Sequence, residues 1–382
     1  MERFTIPRNI YYGKNALDSL RKIQGKNAVI VTGEKTVKEN GTLDKVIEQL
    51  NKTYINVNVI NGIPANPTKE LVTRGAFHFG KYNPDWIIAL GGGSVIDATK
   101  SMWVFYEHPK LEFEELITNK KLPKIRHKSR FIAIPTTYSV SSMTPVAMVS
   151  DWDTRFKWTV SDYQLTPDMT IIDNNIIKHI QGDVLLYSAM DSLSHAFESY
   201  TAKNTNTFSK ALSIDAIKTI TENIEQAYNG NEESKINLQY ASIQAGMSCG
   251  NTGLGICHTL CDVTELLFTT QSPPHGLLSA MYLPYIIKYN SQKSDKYSPI
   301  LKNMEINRID ELCENLISLN EKLGIPTSLK KLGIDFEDIL IDKEELMDKV
   351  LLDENTSNNV RPVRDEDVIP LFENIFEGSL DF

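Results

Sequence analysis

At 382 residues the chain exceeds the roughly 250–300 at which a single core stops growing, so two domains are expected. It is 41% hydrophobic and 23% charged, the composition of a globular protein with a sizeable core. Its net charge of −9 offers a phosphate backbone no attraction, and no apolar run nears the ~20 residues a bilayer demands, so neither a nucleic acid nor a membrane is an expected partner.

The first elements alternate. NAVIVT (27–32), INVNVI (55–60), WIIAL (86–90) and FIAIP (131–135) read as buried strands, and 36–51, 68–82 and 94–107 carry helical spacing between them. Strand–helix alternation predicts an α/β fold with a mainly parallel sheet and helices on both faces, over residues 1–180. The turn after the third strand is ALGGGSVID (89–97). Glycines there let backbone N–H groups approach a pyrophosphate, and the helix that follows turns its positive end toward the same point. The GxGxxG fingerprint is absent, because Val95 and Ile96 fill the later positions. An ordinary turn explains the motif as well, with Ser94 as N-cap and Asp97 completing a variant capping box. The motif by itself leaves those readings even.

PVAMVSDWDTRFKWTV (145–160) holds two runs around Asp151–Asp153, which predicts a hairpin at the sheet's edge. Beyond about residue 180 the strand signal fades, and 184–200, 208–228, 235–250, 278–290, 308–323 and 366–376 fit helices. An all-helical second domain is therefore expected over 181–382, the boundary falling near Asp173–Gly182. A cleft between two unlike domains is a common place for a ligand.

YSAMDSLSHAFESY (187–200) sets Asp191 and His195 at i and i+4 on one helix face. Seen alone, that pair is more often a solvated contact than a ligand set. His258, after the apolar Leu254, Ile256 and Cys257, and His275, between Pro274 and Gly276, change the balance. One carboxylate and three imidazoles form an N3O set suited to Zn(II) or Fe(II). His78, His108, His127 and His179 stand in no such context. Cys257 and Cys261 read as packing residues. The four cysteines have no CxxC spacing, and MERFTIPRNIYYGK has no apolar signal core, so a reducing cytoplasm is expected.

These stretches together resemble the iron-containing (group III) alcohol dehydrogenase family, nearly end to end. The resemblance runs through FTIPRNIYYGKNALDSL (4–20), NPT (66–68), GGGSVIDATK (91–100), IPTT (134–137), AMDSLSHAFESY (189–200), GLGICHTL (253–260), PPHGLLSAMYLPYIIKYN (273–290) and LGIPTSL (323–329). WVFYEHP (103–109) is most similar to the NADPH-dependent butanol dehydrogenases of that family. The resemblance implies a dinucleotide-binding α/β domain and a helical metal domain, most often assembled as a homo-oligomer such as a dimer. It implies one divalent metal, Fe2+ or Zn2+, on Asp191, His195, His258 and His275. It implies NADP(H) or NAD(H) on Asn66, Gly92, Gly93, Ser94, Thr136, Thr137 and Lys157, with Asp97 in the same turn. Where relatives carry an aspartate that repels the 2′-phosphate of NADP, this chain has Gly33; Lys35 favours that phosphate and Glu34 the ribose hydroxyls of NAD, and the balance leans to NADP(H).

Three departures stand out. Relatives carry a histidine four residues after the third ligand, thought to relay a proton; this chain has Asp262. The segment with FTTQSPP (268–274) is about three residues longer, and the glycine-rich loop after PTT reads YSVSSM (138–143), with serines for glycines and Met143 near the usual glutamate. The expected function is a metal-dependent alcohol dehydrogenase that moves a hydride between NAD(P)H and a small aldehyde or primary alcohol, with Asp262 as the altered catalytic position. The alternatives are a degenerate member kept for binding or assembly, and a polyol oxidoreductase of the glycerol dehydrogenase type. Cofactor consumption with a panel of aldehydes separates the enzyme from the binding protein, and metal analysis separates both from a metal-free scaffold.

Overall fold

The computed structural model describes every residue except 1, 119–120, 152–153, 155 and 269–271. The chain forms two compact units, Met1–Gln181 and Gly182–Phe382. In the first, six parallel strands run in the order β1-β8-β5-β4-β2-β3: β1 Asn9–Gly13, β2 Asn27–Gly33, β3 Asn56–Ile63, β4 Trp86–Gly91, β5 Arg130–Pro135 and β8 Met169–Asp173. Because successive side chains alternate, Val29, Val31, Ile87, Ala89, Phe131 and Ala133 enter one core, and Ile30, Ile88, Leu90, Ile132 and Ile134 enter another on the opposite face. The first core takes Val72, Ala76 and Phe79 of helix α2 (Lys69–Tyr82) and Met102 and Trp103 of α3 (Gly93–Glu107). The second takes Leu43, Val46 and Leu50 of α1 (Thr42–Asn51). A strand apolar on both faces is buried on both faces, which is why these runs show no alternation in sequence.

Four expectations are corrected. The helix expected over 36–51 breaks into Thr36–Glu39 and Thr42–Asn51, because Gly41 adopts a left-handed φ of 73° between them. The sheet gains β1 and β8, which the sequence reading did not identify. The hairpin, β6 Val146–Asp151 with β7 Phe156–Ser161, forms a two-stranded antiparallel sheet of its own instead of extending an edge. The buried Lys100 ammonium of α3 donates to the carbonyl oxygens of Ser141, Thr144 and Val146, each at 2.7 Å, which ties the start of the hairpin to that helix. Ser150 N–H donates to Pro67 O at 2.9 Å, tying the end of β6 to the loop before α2. Part of the Asp151–Asp153 turn lies outside the described residues. Finally, Ser94 does not cap α3: the N-cap is Gly92, which has no side chain to accept from the first N–H groups.

The second unit is built of helices among its described residues. Three of them matter most below: α4 Gly182–Thr201, α5 Ile256–Leu267 and α6 His275–Ser291. Among the described residues, no helix is long and apolar enough to cross a membrane.

Candidate metal centre and cofactor turn

At the glycine turn, a side chain is excluded at Gly91 and would be tight at Gly92 and Gly93. A Cβ on Gly91 would stand 2.6 Å from Val95 Cβ, one on Gly92 3.2 Å from Thr137 Oγ1, and one on Gly93 3.2 Å from Ser139 Oγ and 3.4 Å from Ser141 Oγ. The loop after β5 therefore lies against the turn, and Thr136 N–H donates to Gly91 O at 3.1 Å. Uncapped N–H groups at the start of a 15-residue helix, ringed by hydroxyls, suit an anion. Gly33 ends β2, the strand beside β4, and a Cβ there would meet only ordinary contacts at 3.7 Å. Asn66 stands in the loop after β3 with a left-handed φ of 52°, just before Pro67, whose carbonyl holds Ser150; Lys157 faces Ser150 across the hairpin. Gly33, Asn66, Gly92–Ser94, Thr136 and Thr137 thus follow the carboxyl ends of β2, β3, β4 and β5, where open parallel sheets hold ligands. Asp97 lies one turn into α3. Burial, opposed by Lys100, Ser141 and the Met148 backbone, pushes its carboxyl up to about 6. Ser139 and Ser141 were missed in sequence; their signal was the replacement of glycines by serines in a loop following PTT.

In the helical unit, α4 carries Asp191 and His195, α5 carries His258, and His275 is the first residue of α6. Their donor atoms converge. Asp191 Oδ1 is 3.6 Å from His195 Nδ1, from His258 Nε2 and from His275 Nε2, and the first two nitrogens are 3.2 Å apart. A tetrahedral ion with bonds of about 2.1 Å has ligands about 3.4 Å apart, close to the separations around Asp191 and between His195 and His258, and one carboxylate with three imidazoles suits Zn(II) or Fe(II) in donor type.

Gly276 makes that convergence possible: a Cβ there would stand 2.1 Å from the backbone oxygen of Tyr187, one turn before Asp191. Gly255 clears space for Glu198, whose Oε1 would stand 2.8 Å from a Cβ at that position. Glu198 then accepts from Cys257 N–H at 2.7 Å and from His258 Nδ1–H at 2.5 Å. Glu265 accepts from His275 Nδ1–H at 2.5 Å, and Ser279 Oγ donates to Asp191 Oδ1 at 3.2 Å. Glu198 and Glu265 were also missed in sequence, although Glu198 follows His195 by three residues and Glu265 follows His258 by seven, each on the same helix face.

The electrostatics call for positive charge. Burial resists ionisation of Asp191, but His195, His258 and His275 outweigh it and hold the carboxyl well below the usual carboxylate range. Burial and neighbouring His258 keep His195 neutral, at about 4. Burial works against a charged His258 too, yet Glu198 and Asp191 drive it well above its ordinary value; Glu265 and Asp191 do the same to His275. Asp262 is buried, with Oδ1 3.7 Å from His275 Nδ1. Burial and then the charge of Asp262 push Asp353 up to about 6, and Asp353 accepts from Thr259 Oγ1 at 3.1 Å. Cys257 and Cys261 are buried, free thiols.

The chain belongs to the iron-containing alcohol dehydrogenase family: the model for iron-containing alcohol dehydrogenase matches residues 7–174, and that for the family's C-terminal domain matches 185–376. It is an NAD(P)-dependent oxidoreductase of that family. Among named relatives, it is 36% identical to the NADPH-dependent butanol dehydrogenase of Clostridium saccharobutylicum over 391 residues, covering 100% of both chains. It is 30% identical to the bifunctional aldehyde-alcohol dehydrogenase AdhE of Escherichia coli (strain K12) over 93% of this chain, which spans only 44% of that longer enzyme. Among solved structures, the iron-containing alcohol dehydrogenase of Thermococcus thioreducens superposes with a TM-score of 0.91 at 30% identity, covering 99% of this chain and 100% of that one.

Proposed function

We propose that the chain reduces small aliphatic aldehydes, and oxidises the matching primary alcohols, with NADP(H) as the preferred cofactor. Asp191, His195, His258 and His275 hold one Fe2+ or Zn2+. When bound, that ion supplies Lewis-acid polarisation of the carbonyl oxygen, and the nicotinamide supplies the hydride. The chain's own residues do the rest. The N–H groups at Gly92–Ser94, the hydroxyls of Thr136 and Thr137, and Asn66 and Lys157 fix the cofactor's phosphates and nicotinamide end, with Asp97 alongside. Gly33 leaves room for a 2′-phosphate. Asp262 occupies the proton-handling position, where a carboxylate is a weaker general acid at neutral pH than an imidazole. The enzyme works in a reducing cytoplasm, which its four buried cysteines, none of them in a disulfide, suit, and as a homo-oligomer by likeness to its family. Residues 1–180 form its dinucleotide-binding domain and 181–382 its metal-binding domain.

The observation that carries this reading is the convergence of three imidazole nitrogens, from three helices, each 3.6 Å from Asp191 Oδ1. The test is metal analysis of the purified chain together with NADPH oxidation by aldehydes of two to four carbons. One metal per chain is expected, with His275→Ala abolishing both binding and turnover. Full activity in a chelator-treated, metal-free sample overturns the reading.

A further inference from the structure

A second cluster adjoins the first. Asp262, Glu265 and His275 bring two carboxylates and one imidazole nitrogen within 4.8 Å of one another, a grouping that could take a cation of its own. The distances argue otherwise. His275 Nδ1 and Glu265 Oε1 are 2.5 Å apart. Two ligands sharing one ion at bonds of about 2.0–2.1 Å, spread by 90° or more, stand no closer than about 2.8 Å. So close an approach is that of a hydrogen-bonded pair, nearer the roughly 2.7–2.9 Å of a charge-assisted N–H···O bond than the spacing of two ligands on one ion. Glu198 and His258 Nδ1 show the same separation, and in both histidines the opposite nitrogen, Nε2, lies 3.6 Å from Asp191 Oδ1. His195 differs, since Asp191 is the only carboxylate paired with it among the described residues.

We propose that Glu265 is a positioning residue that holds His275 with its proton on Nδ1 and its Nε2 lone pair toward Asp191, as Glu198 does for His258, and that Asp262 and Glu265 are not a second cation site. The inference rests on the metal reading above. Glu265 lies two turns after His258 on α5, so a single helix supplies one ligand and steers the ligand that begins α6. Its carboxylate is nearly sealed from water at 2% exposure, so the pair is little screened, and it makes the imidazole a stronger donor. Asp262, at 3.7 Å from the same Nδ1, acts on it through charge and not through a hydrogen bond.

The experiment measures metal content, and Zn2+ affinity by chelator competition, in wild type, Glu265→Gln and Glu265→Leu. Melting of the chelator-treated proteins serves as the control for folding. Glutamine keeps an acceptor for Nδ1–H but loses the charge, and leucine loses both. One metal per wild-type chain is expected, with affinity about 10-fold weaker in E265Q and about 100-fold weaker in E265L, while the metal-free melting temperature of E265Q stays at the wild-type value. In NMR spectra of the metal-loaded protein, the His275 Nδ1–H proton should be far downfield in wild type and move upfield in E265Q. Two metals per wild-type chain, the second lost in E265Q, would make the cluster a cation site and overturn the proposal. One metal bound with equal affinity in all three forms overturns the role of Glu265 alone. A wild-type chain that takes up no metal overturns the proposed function and this inference with it.

Discussion

The glycine turn and the histidine cluster are built from opposite materials. The turn is backbone and close quarters: a Cβ on Gly91 would overlap Val95, and one on Gly92 or Gly93 would press on the Thr137 or Ser139 hydroxyl. The cluster is side chains, drawn from three helices and backed by the buried carboxylates of Glu198 and Glu265. One is contiguous in sequence, and the other spans 85 residues, from Asp191 to His275. Yet the cluster rests on the same device as the turn. Gly276 and Gly255 are the vacancies that let its side chains meet, so a steric change should break it as surely as loss of a ligand.

Gly276→Ala is the strongest test of that likeness, and the largest effect. The added methyl would stand 2.1 Å from a backbone oxygen of α4, an atom that cannot swing aside, so α6 must shift and take His275 with it. A loss of about 1–3 kcal/mol in stability is expected, together with metal affinity weakened about 100-fold. Calorimetry and metal analysis check both. A variant that binds metal like wild type would show that the histidine cluster does not depend on this vacancy.

Gly33→Asp examines the turn's side of the comparison. Here a Cβ fits at 3.7 Å, so the substitution brings charge without crowding. Repulsion of a 2′-phosphate should lower kcat/KM for NADPH by about tenfold or more and leave that for NADH nearly unchanged. If the ratio of the two stays put, Gly33 does not sort the cofactors.

The contrast between the two regions also explains what could be read from sequence. The central strands were legible because burial on both faces makes apolar runs, as in Ala28–Val31 and Ile87–Leu90. β1 and β8 were not: NIYYG is largely open to solvent, and its partner MTIID lies some 160 residues away, a pairing no local pattern encodes. The four ligand-type residues could be picked out by chemistry and resemblance, and the structure brings all four together. Their glutamates could not, because a Glu on a helix face reads as a solvated charge until the fold buries it at 4% and 2% exposure. Ser94 was assigned a cap that Gly92 holds, since local propensity does not tell which residue bears the first helical φ and ψ.

Asp262→His asks whether a carboxylate in the cluster limits turnover. If Asp262 stands in for a proton-relaying imidazole, the histidine variant should raise kcat for butanal a few-fold and shift the pH–rate profile, since an imidazole is the better matched acid near neutrality. An unchanged rate and profile would make Asp262 a bystander to proton transfer.

Asp97→Asn acts on stability and not on turnover, and it separates a structural role from one in the turn's chemistry. Asp97 Oδ1 is buried with no hydrogen-bond partner among the described residues, and burial lifts the carboxyl from 3.8 to about 6. An acid whose folded pKa is raised favours the folded state when protonated. Its contribution is fully present below pH 3.8 and is lost as the pH climbs through about 6, above which the folded protein bears an unfavourable buried charge. Asparagine carries no such charge. The variant should therefore gain up to about 2 kcal/mol over wild type at pH 7.5, with the gain vanishing near pH 4. Lys100 sets the limit, because its attraction for Asp97 is lost in the same substitution. Thermal melts of both proteins from pH 4 to 8 decide the matter. A variant less stable than wild type at every pH would mean that Asp97 holds the first turn of α3 together. A gain confined to the higher pH range would mean that the fold carries this charge at a cost, and a loss of NADPH affinity in the same variant would tie that cost to cofactor binding.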